Sequence, residues 1–154
     1  MNDFHDADFV PEWRGLSKGR CFVYVLPCRE QDLLKVGFAR DPVIRLRSLH
    51  SRYFEMFDLE RAVLMETEHV RDARSIEKRL KTQLAPNAAQ PPLTVRSAAG
   101  GYTEWFRGSS SLAREAILEI QESEGFVVHD SLATWLRKRW QNDGTLFDWS
   151  VGML

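Results

Sequence analysis

The stretch CFVYVLPCREQDLLKVGFA, residues 21–39, constrains the fold more than any other part of the chain. It holds two short apolar runs, about 21–27 and 33–38, separated by a polar turn. A parallel crossover needs a dozen or more connecting residues, so these two runs form an antiparallel hairpin. In the first run Phe22, Tyr24 and Leu26 alternate with Val23 and Val25, the period-two pattern of a strand. Pro27 ends that run because it has no N–H for a ladder.

The next signals are local and easily read. In RDP, Asp41 is a helix N-cap and Pro42 takes the first helical position. The helix it opens runs to about Arg52, with Val43, Leu46 and Leu49 turned inward. LERAVLMET (59–67) reads as a third strand, apolar enough at its centre to be buried on both faces. A longer helix over about 69–84 carries Ala73, Ile76, Leu80 and Leu84 as its apolar stripe, and Pro86 closes it. Residues 85–101, rich in proline and glycine, read as a loop. YTEWF (102–106) is a short aromatic segment. SSSLAREAILEIQES opens on serine caps and predicts a helix with Leu112, Ala116, Ile117 and Ile120 inward. A last helix over about 130–141 sets Leu132, Trp135, Leu136 and Trp140 on one side. The tail FDWSVGM alternates apolar and polar residues, which suits an extra edge strand or a contact with a second copy.

The order is strand, strand, helix, strand, helix, then a helical extension. It predicts an α/β (α+β) fold: a small three-stranded antiparallel or mixed sheet flanked by helices. The expected divisions are an acidic arm (1–19), a domain carrying the sheet (20–107), and a C-terminal helical extension and tail (108–154).

Composition narrows the function classes. The chain has 154 residues, enough for one core without staples. Cys21 and Cys28 are an odd number of residues apart along one strand, hence on opposite faces, and no bridge joins them. The four histidines (His5, His50, His69, His129) show no metal-ligand spacing. The start lacks a secretory pattern, and no apolar run reaches the roughly 20 residues of a membrane span. A reduced, cytoplasmic, soluble protein is expected. Net charge is −1, but its distribution is uneven. Acidic residues crowd positions 3–12, while positive charge collects at 35–52 and 71–81. Either these blocks are solvated helix faces, or they form a face that attracts phosphates. On the second reading Arg40, Arg47, Arg52, Arg74 and Lys78 are the candidate DNA contacts. The acidic arm would then fold over them and screen them.

Phe22-Val23-Tyr24, about ten intervening residues, and Lys35-Val36-Gly37 resemble the paired signature of the GIY-YIG nuclease superfamily. Arg45, in the helix after the second tripeptide, matches the position of that family's essential arginine. Glu77, in the next long helix, matches its metal-binding glutamate. Trp105-Phe106 is similar to the ending of a compact phage and bacterial branch. Phe22 and Lys35 depart from the wider pattern; Lys35 stands where the superfamily has a second tyrosine, although the compact branch commonly carries lysine there. The resemblance covers residues 20–107. It implies a metal-dependent endonuclease acting on DNA, with Tyr24, Lys35, Arg45 and Glu77 as catalytic residues and Glu77 holding Mg²⁺ or Mn²⁺.

The chemistry of these residue types agrees with those roles. A carboxylate is a hard ligand suited to Mg²⁺, which keeps several waters. A guanidinium fork matches phosphate. Tyrosine, with an ordinary pKa of about 10, serves as a base only if nearby positive charge lowers that value. Helical geometry sets Glu77 at the edge of the Ile76–Leu80 stripe, and Arg45 likewise at a boundary. Each residue also has a plainer reading. Tyr24 can be a core aromatic, Glu77 an i,i+4 partner of Lys81, Arg45 a surface charge, Lys35 an edge guard, and Trp105 and Phe106 packing. The corresponding alternative function is a fold of this kind kept as a DNA-binding or protein-interaction module without turnover. A homodimer through the tail is a further expectation.

Overall fold

The computed structural model describes residues 20–92 and 104–142. Strand β1 (Cys21–Pro27) and strand β2 (Leu33–Ala39) form the expected hairpin, in register Tyr24↔Gly37 and Leu26↔Lys35. Helix α1 (Pro42–Leu49) follows, and Asp41 caps it by accepting a 3.0 Å bond from the Val43 N–H. After a helical turn, α2 (Tyr53–Met56), the chain enters β3 (Val63–Thr67), which pairs antiparallel with the other side of β1. Helix α3 (Val70–Leu84) and a 3₁₀ turn (Ala85–Asn87) come next. Strand β4 (Trp105–Arg107), helix α4 (Ser110–Glu124), strand β5 (Val127–His129) and helix α5 (Leu132–Asn142) complete the described chain.

The sheet has five strands in the order β4-β2-β1-β3-β5, every neighbouring pair antiparallel. Strand alternation gives it two buried faces, each with its own core. On one face Phe22, Tyr24, Leu26, Leu33 and Leu64 pack against Leu46 and Leu49 of α1, Tyr53 of α2, and Leu132 and Leu136 of α5. On the other, Val23, Val25, Leu34, Val36, Val63 and Met65 pack against Ala73, Ile76, Leu80 and Leu84 of α3 and Ala113, Ile117 and Ile120 of α4. Each large apolar side chain fully buried in this way stabilises the fold by about 1.5–3 kcal/mol. Helix α4 stops at Gly125, whose φ of +77° is the left-handed conformation that glycine adopts without strain.

The fold class is the expected one, with three differences in detail. The sheet gains β4 and β5, each of three residues, whose partners lie far away in sequence. Residues 59–61 form a turn rather than the start of β3, with the Arg61 N–H on the Asp58 carbonyl at 3.1 Å. Leu112, expected inward, is exposed, because the inward stripe of α4 starts one residue later, at Ala113, and continues through Ala116, Ile117 and Ile120. The two cysteines are free and sit in opposite cores. Among the described residues no helix is long and apolar enough to cross a membrane. The acidic arm, most of the loop before Glu104 and the FDWSVGM tail lie outside the described residues.

Candidate active site

The site begins with a glycine. Tyr24 and Gly37 face each other across the β1–β2 ladder. A Cβ at position 37 would lie 2.4 Å from the Tyr24 Oη and 2.6 Å from its Cζ. The phenol therefore lies flat over the bare backbone of Gly37 and reaches from the central strand across β2. Ladder pairing between β2 and β4 ends at Lys35↔Trp105, and the Val36 N–H bonds the Glu104 carbonyl at 3.0 Å. Groups from both faces of the sheet meet around this point.

Lys35 is 1 % exposed, and its ammonium donates to Glu104 Oε1 at 2.7 Å. It also lies 5.8 Å from the centre of the Trp105 ring, which stacks on Phe57 in the core. Lys81, one turn beyond Glu77 on α3, reaches Glu77 at 3.8 Å and Glu104 at 3.6 Å. The charges thus alternate along Glu77, Lys81, Glu104 and Lys35. Arg45 comes from the face opposite α3, on the first turn of α1, where its N–H bonds the Asp41 carbonyl at 3.2 Å. Its charge is felt by both Tyr24 and Lys35.

Burial and these neighbours set the protonation states. Burial, at 3 % exposure, raises the Tyr24 pKa well above its ordinary value. Arg45 works against that rise, but Glu104 and Glu77 add to it. The phenol keeps its proton, so the condition for a tyrosine base is met only in part. Glu77, 8 % exposed, is pushed up to about 7, first by burial and then by Glu104, with Lys81 and Lys35 opposing. Burial also disfavours the Glu104 anion, but Lys35 and Lys81 outweigh it and hold that carboxyl below its usual range. Of the two carboxyls, Glu77 is therefore the one that takes up a proton first as pH falls, while Glu104 stays ionised against the Lys35 ammonium. Burial lowers the Lys35 pKa, and Glu104 resists the change.

The structure therefore brings together Tyr24, Lys35, Arg45 and Glu77, the four residues singled out in the sequence. It adds Glu104 and Lys81. The sequence contains a weak sign of Glu104, since it is the acidic residue directly before Trp105-Phe106. Only the fold reveals that it accepts from Lys35, since β4 sets Trp105 opposite Lys35 and Glu104 next to it. Trp105 and Phe106 are packing residues, buried in opposite cores. Of the candidate DNA contacts, Arg74 and Lys78 are exposed on α3, either side of Glu77, and the Arg74 guanidinium lies 5.9 Å from the Phe38 ring centre. Arg40 is half-buried directly after β2, and Arg47 is exposed on α1. Arg52 lies elsewhere, beyond the C-terminal end of α1. It pairs with Glu55 at 2.7 Å and lines a cleft of about 250 Å³ with Cys28, Glu30 and His50.

Residues 21–121 match the T5orf172 domain, a phage-associated domain related to nuclease-like folds of the GIY-YIG type. No curated protein and no solved structure matches the chain.

Proposed function

The chain belongs to the T5orf172 domain family, and from that premise we propose that it is a metal-dependent endonuclease hydrolysing DNA phosphodiester bonds. One observation carries the reading: Glu77, Glu104, Lys35, Arg45 and Tyr24 come from separate elements on both sides of the sheet and share one electrostatic neighbourhood. Burying Glu77 beside Glu104 raises its pKa to about 7 and costs the fold stability at neutral pH, as a site kept for chemistry would.

The donor set fits a hard divalent cation. Among the described residues no group of three or more His, Cys, Asp or Glu gathers, so a zinc-type cage is not built. Mg²⁺ commonly needs only one or two carboxylates and fills its other positions with water. Glu77 would hold it, and its positive charge would relieve the repulsion from Glu104. Bound there, such an ion supplies Lewis-acid activation of water and neutralises charge on the phosphoryl oxygens.

The remaining roles belong to side chains. The Arg45 fork binds the phosphate and stabilises the charge that builds on it. Tyr24, holding its proton, donates a hydrogen bond that orients water or a phosphate oxygen. Lys35 is the auxiliary cation, held in place by Glu104. Arg74 and Lys78 steer the DNA backbone without reading sequence. The test is nicking of supercoiled and branched DNA in Mg²⁺. Loss of nicking in chelator and in Glu77→Ala supports the reading, and unchanged nicking in both removes the metal role.

The burial of the Tyr24 phenol favours a second reading, a DNA-binding module without turnover. That module would retard DNA in a gel equally well in chelator and never nick it.

A further inference from the structure

Helix α5 lies beyond the matched residues, yet it reaches the element that carries Arg45. Its first turn is tied to the turn before β3 by Leu132 N–H to the Ala62 carbonyl and Ala133 N–H to the Leu59 carbonyl, both at 2.9 Å. Leu132 and Leu136 are buried in the same core as Tyr24. One turn further on, the Arg139 guanidinium forms a two-pronged pair with Asp41, Nη1 to Oδ1 at 3.1 Å and Nη2 to Oδ2 at 3.0 Å. The same guanidinium lies 5.4 Å from the Trp135 ring centre, and Trp135 meets Phe22 edge-on at 5.5 Å. Trp135 thus supports Arg139 from below while resting on β1, two residues from Tyr24.

Asp41 is the N-cap of α1. Its Oδ1 accepts from the Val43 N–H, and its carbonyl accepts from the Arg45 N–H, so the first turn of α1 is fixed by this one residue. Without the clasp, the Asp41 carboxylate could rotate off the Val43 N–H and let the first turn of α1 shift. The planar fork of Arg139 grips both oxygens, which a lysine point charge cannot do. We infer that Arg139 is a positioning residue: by clasping the Asp41 cap it fixes where α1 starts and so where Arg45 meets the phosphate. The catalytic half of this inference rests on the nuclease reading above. The placement of Arg45 does not.

The experiment uses the full chain and three variants. Arg139→Met removes the fork, Arg139→Lys keeps the charge, and Asp41→Asn keeps a capping oxygen while losing the two-pronged pair. Melting temperature reports folding. The ¹H–¹⁵N resonance of Arg45 Nε, assigned with Arg45→Lys, reports the placement of that side chain. All three variants, measured where they are folded, are expected to shift or broaden the Arg45 resonance. Arg139→Lys should fail to restore it. In DNA cleavage, kcat should fall by about ten- to a hundredfold, the usual result of a small misplacement. In an Arg45→Ala background Arg139→Met should lower kcat no further while still lowering the melting temperature. An unmoved Arg45 resonance, or full rescue by lysine, overturns the inference. So does an unchanged kcat in a folded variant. If the wild type cuts no DNA, the nuclease reading is what fails, and the clasp is decided by the Arg45 resonance alone.

Discussion

Replacing Gly37 with alanine probes the contact on which the site is built. The added Cβ would sit 2.4, 2.6 and 2.9 Å from the Oη, Cζ and Cε1 of Tyr24. Carbon contacts settle at about 3.5–4.0 Å, so the ring must move by about 1 Å or the strands must part. Overpacking of a filled core costs about 1–3 kcal/mol. Alanine recovers about 0.5–1 kcal/mol of this, because glycine loses more chain entropy in a strand. The net loss is about 0–2.5 kcal/mol, or up to about 10 °C in melting temperature for a chain of this size. The assay is a double-mutant cycle with Tyr24→Ala, followed by urea or thermal unfolding. Without the ring the overpacking term is lost while the entropy gain of alanine stays, giving a coupling of about 1–3 kcal/mol. Tyr24→Phe should leave most of the cost in place, since the contacts to Cζ and Cε1 remain. Equal costs of Gly37→Ala in the tyrosine and alanine backgrounds, within about 0.5 kcal/mol, would refute the reasoning.

Glu77→Gln should stabilise the metal-free protein. The shift from 4.5 to about 7, at about 1.4 kcal/mol per unit, sets a ceiling near 3.5 kcal/mol. The sign follows from a raised acid pKa: the ionised form penalises the fold above about 7, and the penalty is absent below 4.5, so the gain seen at pH 8 in chelator should disappear at pH 4. Added Mg²⁺ should raise the melting temperature of the wild type and leave Glu77→Gln unmoved. Arg74→Ala and Lys78→Ala should each reduce the salt dependence of DNA binding by about one phosphate contact, whereas Arg52→Ala, whose guanidinium is paired with Glu55, should change it little. Burial pushes the Cys28 thiol up to about 11, so a thiol reagent at pH 8 should label native protein slowly and both cysteines fast in denaturant.

What the sequence reveals and what it hides divide along the range of the interactions. The hairpin, the Asp41-Pro42 helix start and the stripes of α1 and α3 depend on neighbours a few residues apart, and they fold as the sequence implies. Arg45 occupies the boundary position its helical angle requires, whereas Glu77, expected at the edge of its stripe, is buried beside it because Glu104 and β2 cover that edge. Glu104 escaped because its significance lies in a pairing with Lys35 that spans 69 positions. Strands β4 and β5 escaped for the same reason, since three residues carry no periodicity and their existence depends on β2 and β3 offering a free edge. Leu112 misled by a single residue of helical phase, because both 112 and 113 are apolar and only packing decides between them. The burial of Tyr24 was ambiguous from the start: an alternating strand gives the face, but the open backbone that admits its hydroxyl comes from Gly37 on the next strand.

Binding of Mn²⁺, followed by relaxation of assigned NMR signals, tests the convergence of these side chains most directly. The expected result is one saturable site, with the resonances of Tyr24, Lys35, Arg45 and Glu104 broadening first and the effect abolished in Glu77→Gln. Broadening centred on the cleft around His50 and Glu55, or broadening that persists without the Glu77 carboxylate, would contradict it.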